Sequence, residues 1–177
     1  MPLRPLHLLG SPPLREKSTE IATVDDETRA FIDDLFETMD AAKGVGLAAN
    51  QVGVTSRVAV VDADGHRFEM VNPVIVDQGG EETAEEGCLS IPDLYADVTR
   101  SATVTVEALD RDGRPFRLEA EGFKARVIQH EIDHLDGILF VDRLSPLKRK
   151  LLVTRWRKAR KGVGHIKEIG AASDAKA

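Results

Sequence analysis

The 177-residue sequence predicts an α+β fold, with mixed or antiparallel β-sheets packed around a central helix and a further helix at the carboxy-terminal end. Three observations carry that prediction. After one amino-terminal helical pattern, valine-rich segments broken by Gly, Pro and Asn follow one another without the alternating helices that a βαβ architecture requires. The stretch "GFKARVIQHEIDHLDG" (122–137) then places apolar residues at helical spacing. Finally, Pro146 behind Ser145 and a stop at Gly162 frame a strongly basic last helix.

Each element has its own signal. In "TVDDETRAFIDDLFETMDAAKG" (23–44), acidic residues crowd the first turns and favour the positive end of a helix dipole. Phe31, Ile32, Leu35, Phe36 and Met39 recur at helical spacing, and Gly44 after Lys43 is a stop. "RVAVVDADG" (57–65) and "RFEMVNPVIVDQGG" (67–80) are valine-rich and read as strands with a turn near Asp64-Gly65. "SATVTVEALDRDGRPFRLEAEG" (101–122) alternates through Val104 and Val106, turns at Asp112-Gly113 and resumes through Phe116 and Leu118, the pattern of a β-hairpin. In the helix ending near Gly137, Val127, Ile128 and Leu135 are available to the core. "ILFVDRL" (138–144) reads as a short strand, and the residues beyond the last helix as frayed. No repeat or linker divides the chain, so residues 1–146 are expected to form the body, and 147–177 a basic helix and tail of the same domain.

Composition bounds the function. With 42% hydrophobic and 31% charged residues, the chain suits a globular domain with a sizeable core. No apolar run approaches the roughly 20 residues of a membrane span. The opening "MPLRPLHLLGSPPLRE" sets prolines and charges where a signal peptide needs an apolar block, so the expected location is cytoplasmic, with no membrane partner. A single cysteine, Cys88, excludes an intrachain disulfide. Charge is unevenly spread: from Asp142 onward stand 11 Lys+Arg against 3 Asp+Glu, which leaves 13 against 27 before it. The body is acidic and the tail basic.

The chemistry concentrates in "QHEIDH" (129–134). On a helix, His130 and His134 lie one above the other and can direct both imidazoles at one metal ion, while Glu131 can reach a water on that ion without ligating it. A third ligand is needed. His165, several carboxylates, or Cys88 in the glycine-flanked loop "EEGCLSIP" can supply it. A lone thiol is usually a small buried hydrophobe, but beside two candidate ligands its weight shifts towards ligation. "GVGLAANQVG" (44–53) adds glycines that allow close backbone approach and an amide, Gln51, able to donate to a developing oxyanion. It lacks the Gly-Lys-Ser/Thr ending of a phosphate loop.

In this order and at these separations, "GVGLAANQ", "EGCLS" and "QHEIDH" resemble the three signature motifs of peptide deformylases, and similarity continues through "HLLGSPPLR" and "GILFVDRLSP". The resemblance implies a metal-dependent hydrolase of protein biosynthesis that removes the N-formyl group from the formylmethionine of nascent polypeptides and releases formate. It implies Cys88, His130 and His134 as metal ligands, Glu131 as general acid/base, and Gln51 with the Leu89 backbone N–H as oxyanion donors. Val45, Gly46 and Gly87 are implied to meet a substrate bound as an added strand, with Phe123, Arg126 and Val127 joining Val45 around the methionine; Arg126 can equally be a solvated side chain. The implied cofactor is one divalent ion, Fe2+ in the cell, with Zn2+, Ni2+ or Co2+ able to occupy purified protein. The implied partners are formyl-Met peptides and, through the basic helix, the ribosome; DNA is not expected. Tyr95 departs from the pattern, standing where several relatives carry an arginine that contacts substrate backbone. The His-Glu-x-x-His motif alone also fits a metalloprotease. A purely structural metal site would need neither Glu131 nor Gln51.

Overall fold

The computed structural model describes residues 3–170. Five antiparallel strands form the main sheet: β2 (Gly46–Ala48), β3 (Val58–Ala63), β4 (His66–Gly79), β7 (Thr103–Leu109) and β8 (Pro115–Glu121), adjacent in that order. Between β4 and β7 the chain departs into a separate two-stranded ribbon, β5 (Glu82–Cys88) and β6 (Ile91–Arg100). A third pairing joins β1 (Leu6–His7) to β9 (Ile166–Lys167) near the other end of the chain. The fold is α+β, as the segment order predicts.

Alternation along β3 explains how the sheet is covered. Val58 and Val60 face one side with Leu47 and Val71, where α1 (Asp26–Ala41) lays Ile32, Leu35 and Met39. Ala59, Val61 and Ala63 face the other, where α2 (Gly122–Leu135) contributes Ala125, Ile128, Ile132 and Leu135. Successive side chains on a strand point to opposite faces, so one valine-rich run serves two helices. The Asp25 side chain caps α1 by accepting from Thr28 N–H at 2.9 Å. Gly137 ends α2 at φ +75°, and a Cβ there would stand 2.7 Å from the carbonyl oxygen of Arg15. Only glycine meets both demands. A third cluster packs Ile91, Leu94, Ala96 and Val98 of the ribbon against Leu8, Leu9, Leu139, Phe140 and Trp156. Trp156 belongs to α3 (Pro146–Ala159), whose basic residues Lys150, Arg155 and Lys158 remain exposed.

Three expectations need correction. "ILFVDRL" holds a 3-10 turn, Phe140–Arg143, because the Asp142 carboxylate accepts from Leu139 N–H at 2.9 Å and closes the turn while Leu139, Phe140 and Val141 are buried. Cys88 does not sit in a loop but ends β5, since the carboxylate-rich run before it pairs with β6. The chain beyond α3 is not wholly frayed: Ile166–Lys167 pair with Leu6–His7, and only 171–177 lie outside the described residues.

Candidate metal centre

α2 presents His130 and His134 on one face, and the end of β5 brings Cys88 to them. The nearest donor atoms converge: His130 Nε2 lies 3.2 Å from His134 Nε2, and Cys88 Sγ lies 3.3 Å from the same atom. All three ligand atoms fall within 4.8 Å of one another, so the group can hold a metal ion. A thiolate with two imidazoles suits a transition metal. His165 is elsewhere, packed against Gly10, and no carboxylate among the described residues joins the group.

Glu86 fixes which histidine nitrogen is free. His130 Nδ1 stands 3.0 Å from the Glu86 carboxylate, which can only accept, so the proton resides on Nδ1 and the Nε2 lone pair faces the group. Arg100 grips both Glu86 oxygens, at 2.5 and 2.9 Å, and Arg126 adds a third contact at 2.6 Å. Arg100 continues to Asp133 at 2.8 Å, which also binds Arg143 at 2.7 Å. Burial disfavours the Glu86 charge, but the hydrogen bonds from His130 and Arg100 prevail and hold its pKa near about 2. Glu86, Arg100, Asp133 and Arg143 are what sequence reasoning missed. Glu86 lies two residues before Cys88 in a run of acids, and nothing local marks it as the one that turns inward.

Glu131 shares the site without entering the ligand group. It is buried, and its Oε1 has no hydrogen-bond partner among the described residues. Burial pushes its pKa up to about 7 against the opposing charges of His130 and Arg100. Burial likewise lowers the His134 pKa well below its usual value, with the His130 charge adding to it. For His130, burial is outweighed by hydrogen bonds to Cys88 and Glu86, which raise its pKa.

The glycine motif does more than stop a helix. β2 pairs with β3 on one side only, and a 3-10 turn, Ala49–Val52, follows it. That turn buries Gln51, whose Oε1 accepts from Ala48 N–H at 2.9 Å. Its Nε2 therefore faces Cys88, 3.7 Å from Sγ, and donates to Ser90 Oγ at 3.1 Å. A Cβ on Gly46 would collide with the Glu131 carboxylate.

These groups open into a cleft of about 410 Å³ bounded by β2, the ribbon and α2. Val45, Gly46, Gln51, Gly87, Cys88, Leu89, Phe123, Val127, His130 and Glu131 all line it, so the structure brings these sequence-derived site residues to one place. Arg126 lines it too, but its guanidinium is not solvated: it also donates to Glu82 O and Val98 O, tying both ribbon strands to α2. Tyr95 is 62% exposed and stacks its ring edge over Gly87 at the rim.

Comparisons with known proteins agree with one another. The family model described as Polypeptide deformylase matches residues 3–150. A peptide deformylase of Chromohalobacter salexigens is 52% identical over 149 residues, covering 82% of this chain and 88% of that protein. One from Rhizobium meliloti is 46% identical over 170 residues, covering 93% and 98%. The crystal structure of a peptide deformylase from Legionella pneumophila superposes with a TM-score of 0.85 at 45% identity, covering 90% of this chain and 96% of that one.

Proposed function

The chain belongs to the polypeptide deformylase family, and from that premise we propose that it hydrolyses the N-formyl group of formylmethionine on nascent polypeptides, releasing formate. The observation that carries the proposal is the convergence of Cys88, His130 and His134 beside an unpartnered Glu131 oxygen and the Gln51 amide at one end of a cleft. Cys88 Sγ and the two Nε2 atoms would hold one divalent ion. When bound, that ion polarises the formyl carbonyl and lowers the pKa of a water towards roughly 7.

The chain's own groups do the rest. Glu131 takes a proton from the attacking water as its oxygen bonds to the formyl carbon. It then returns the proton to the methionine nitrogen as the C–N bond breaks, leaving formate and a free amine. Gln51 Nε2 and the Leu89 N–H donate to the oxygen that gains charge, where one donor is typically worth about 3 kcal/mol. Val45, Gly46 and Gly87 receive the peptide backbone. Among the described residues, each of β2 and β5 has a single strand neighbour, so both offer an edge for an extended peptide. Val45, Phe123, Val127 and the stem of Arg126 surround the methionine. A formyl carbon bears only hydrogen, so a site narrow around that carbon would admit it and exclude bulkier acyl groups.

Ligand type does not choose between iron and zinc; the family resemblance favours Fe2+, with Ni2+, Co2+ or Zn2+ as replacements. We further infer that the enzyme works in the cytoplasm and docks on the ribosome, with the exposed Lys150, Arg155 and Lys158 of α3 meeting phosphates. No helix among the described residues is long and apolar enough to cross a membrane. The deciding experiment is formate release from formyl-Met-Ala-Ser by protein purified without oxygen, with metal analysis of the same sample. Cleavage of internal peptide bonds without formate would refute the deformylase reading, and full air-stable activity with stoichiometric zinc would refute iron.

A further inference from the structure

β9 lies beyond residue 150, where the family match ends, yet Lys167 and Ile169 line the same cleft as the metal centre. The segment is held firmly. Leu6 and His7 pair with Lys167 and Ile166, and Leu8 N–H donates to His165 O at 2.7 Å. The His165 ring fills the space beside Gly10, where a Cβ would come within 2.6 Å of it. Ile169 packs into the cluster that holds Leu6, Ala42 and Leu89. A strand from the end of the chain thus closes one wall of the cleft.

That wall is cationic. Lys167 is exposed on β9, and Lys43, also exposed, follows Ala42 at the end of α1. Both line the cleft, and neither makes an ion pair among the described residues. Ala42, next to Lys43, and Ile169, two residues after Lys167, also line the cleft and pack against the same apolar cluster. The other charges of the cleft are disposed differently. Arg126 and Glu86 neutralise each other, Glu131 lies beside the metal group, and Glu85 and Asp93 stand on the ribbon. The metal group takes the formyl end and the Val45–Phe123–Val127 pocket takes methionine, so this patch is left for the residues that follow.

Resting on the deformylase reading above, we propose that Lys167 and Lys43 form a carboxylate-selective subsite, so that the enzyme favours nascent chains with Asp or Glu soon after formylmethionine. The test compares kcat/KM for formyl-Met-Ala-Asp-amide and formyl-Met-Asp-Ala-amide with their Lys counterparts, and with the free acids. An exposed charge pair supports a discrimination of roughly 1.5- to 5-fold. The wild type should prefer the Asp amides by about that factor at low salt, and lose the preference near 1 M salt, where screening reaches within about 3 Å. Lys167→Glu should reverse the ratio; Lys17→Glu, an exposed lysine that does not line the cleft, should leave the ratio unmoved. Equal rates on Asp and Lys amides, or a ratio insensitive to Lys167→Glu, would overturn the subsite. So would a preference confined to free acids, since that reports the peptide terminus. Failure of the metal-loaded enzyme to release formate from any peptide would instead overturn the reading on which the subsite rests.

Discussion

Gly46 has no side chain, and the Glu131 carboxylate packs where one would go. That single close approach couples two motifs far apart in sequence. Gly46→Ala should therefore retain metal while displacing Glu131, with kcat falling by at least about tenfold; a variant of normal activity would uncouple them. Glu131→Ala should also keep its metal, since Cys88, His130 and His134 are untouched. Its kcat should drop about 10²- to 10⁴-fold, and near-normal turnover would remove Glu131 from the proton-transfer role. Burying this acid also has a stability consequence. Its folded pKa of about 7 exceeds the ordinary 4.5, so ionisation opposes folding above pH 4.5, increasingly until about pH 7. With metal stripped, Glu131→Gln should be more stable than the wild type at pH 8, with the gap closing by pH 4. Denaturant melts at the two pH values measure it.

At the scale of elements, α2 and the β5–β6 ribbon are joined through buried charge. Arg126 binds backbone of both ribbon strands, and Glu86 links Arg100, Arg126 and His130. Breaking one member of such a network leaves uncompensated charge, at a cost of about 3–5 kcal/mol. Glu86→Gln should be destabilised and bind metal more weakly, because the His130 ring loses its carboxylate acceptor. The pH dependence identifies the cause. The Glu86 pKa is depressed from 4.5 to about 2, so its contribution is complete above pH 4.5 and fades as pH falls towards 2. The stability gap between wild type and Glu86→Gln should shrink over that window, and a gap independent of pH would assign the defect to shape instead of charge.

On the scale of the molecule, the tail is part of the folded unit. Trp156 of α3 is buried against the ribbon cluster and donates to Pro92 O at 2.7 Å, and β9 closes a wall of the cleft. Truncation after Pro146 should therefore lower stability, by at least the roughly 3–5 kcal/mol expected from losing a buried tryptophan, and should reduce activity on short peptides as well. A truncated chain with unchanged melting temperature would show the tail to be dispensable. The ribosome proposal accordingly needs a gentler test. Charge reversal at the exposed Lys150, Arg155 and Lys158 should weaken ribosome binding and flatten its salt dependence while leaving the melting temperature in place.

Much of the site was legible in sequence because it depends on local spacing. His130 and His134 share a face on any helix, Glu131 follows at once, and a glycine-bounded run before Gln51 marks a turn. The hairpin at Asp112-Gly113 and the helix before Gly44 were legible for the same reason: turn chemistry and periodicity act over a few residues. What the tertiary structure decided are contacts between residues distant in sequence. Nothing near Cys88 says that it ends a strand and reaches His134, since that follows from the long pairing of β5 with β6. Which of several acids turns inward to His130 was set by Arg100 and Arg126 waiting in the core. "ILFVDRL" has a strand's composition but forms a 3-10 turn closed by Asp142, whose carboxylate accepts from Leu139 N–H, while Ile166–Lys167, with almost no local signal, pairs because Leu6–His7 offers an edge. Local preference is worth tenths of a kcal/mol per residue and yields wherever burial or a free edge supplies more.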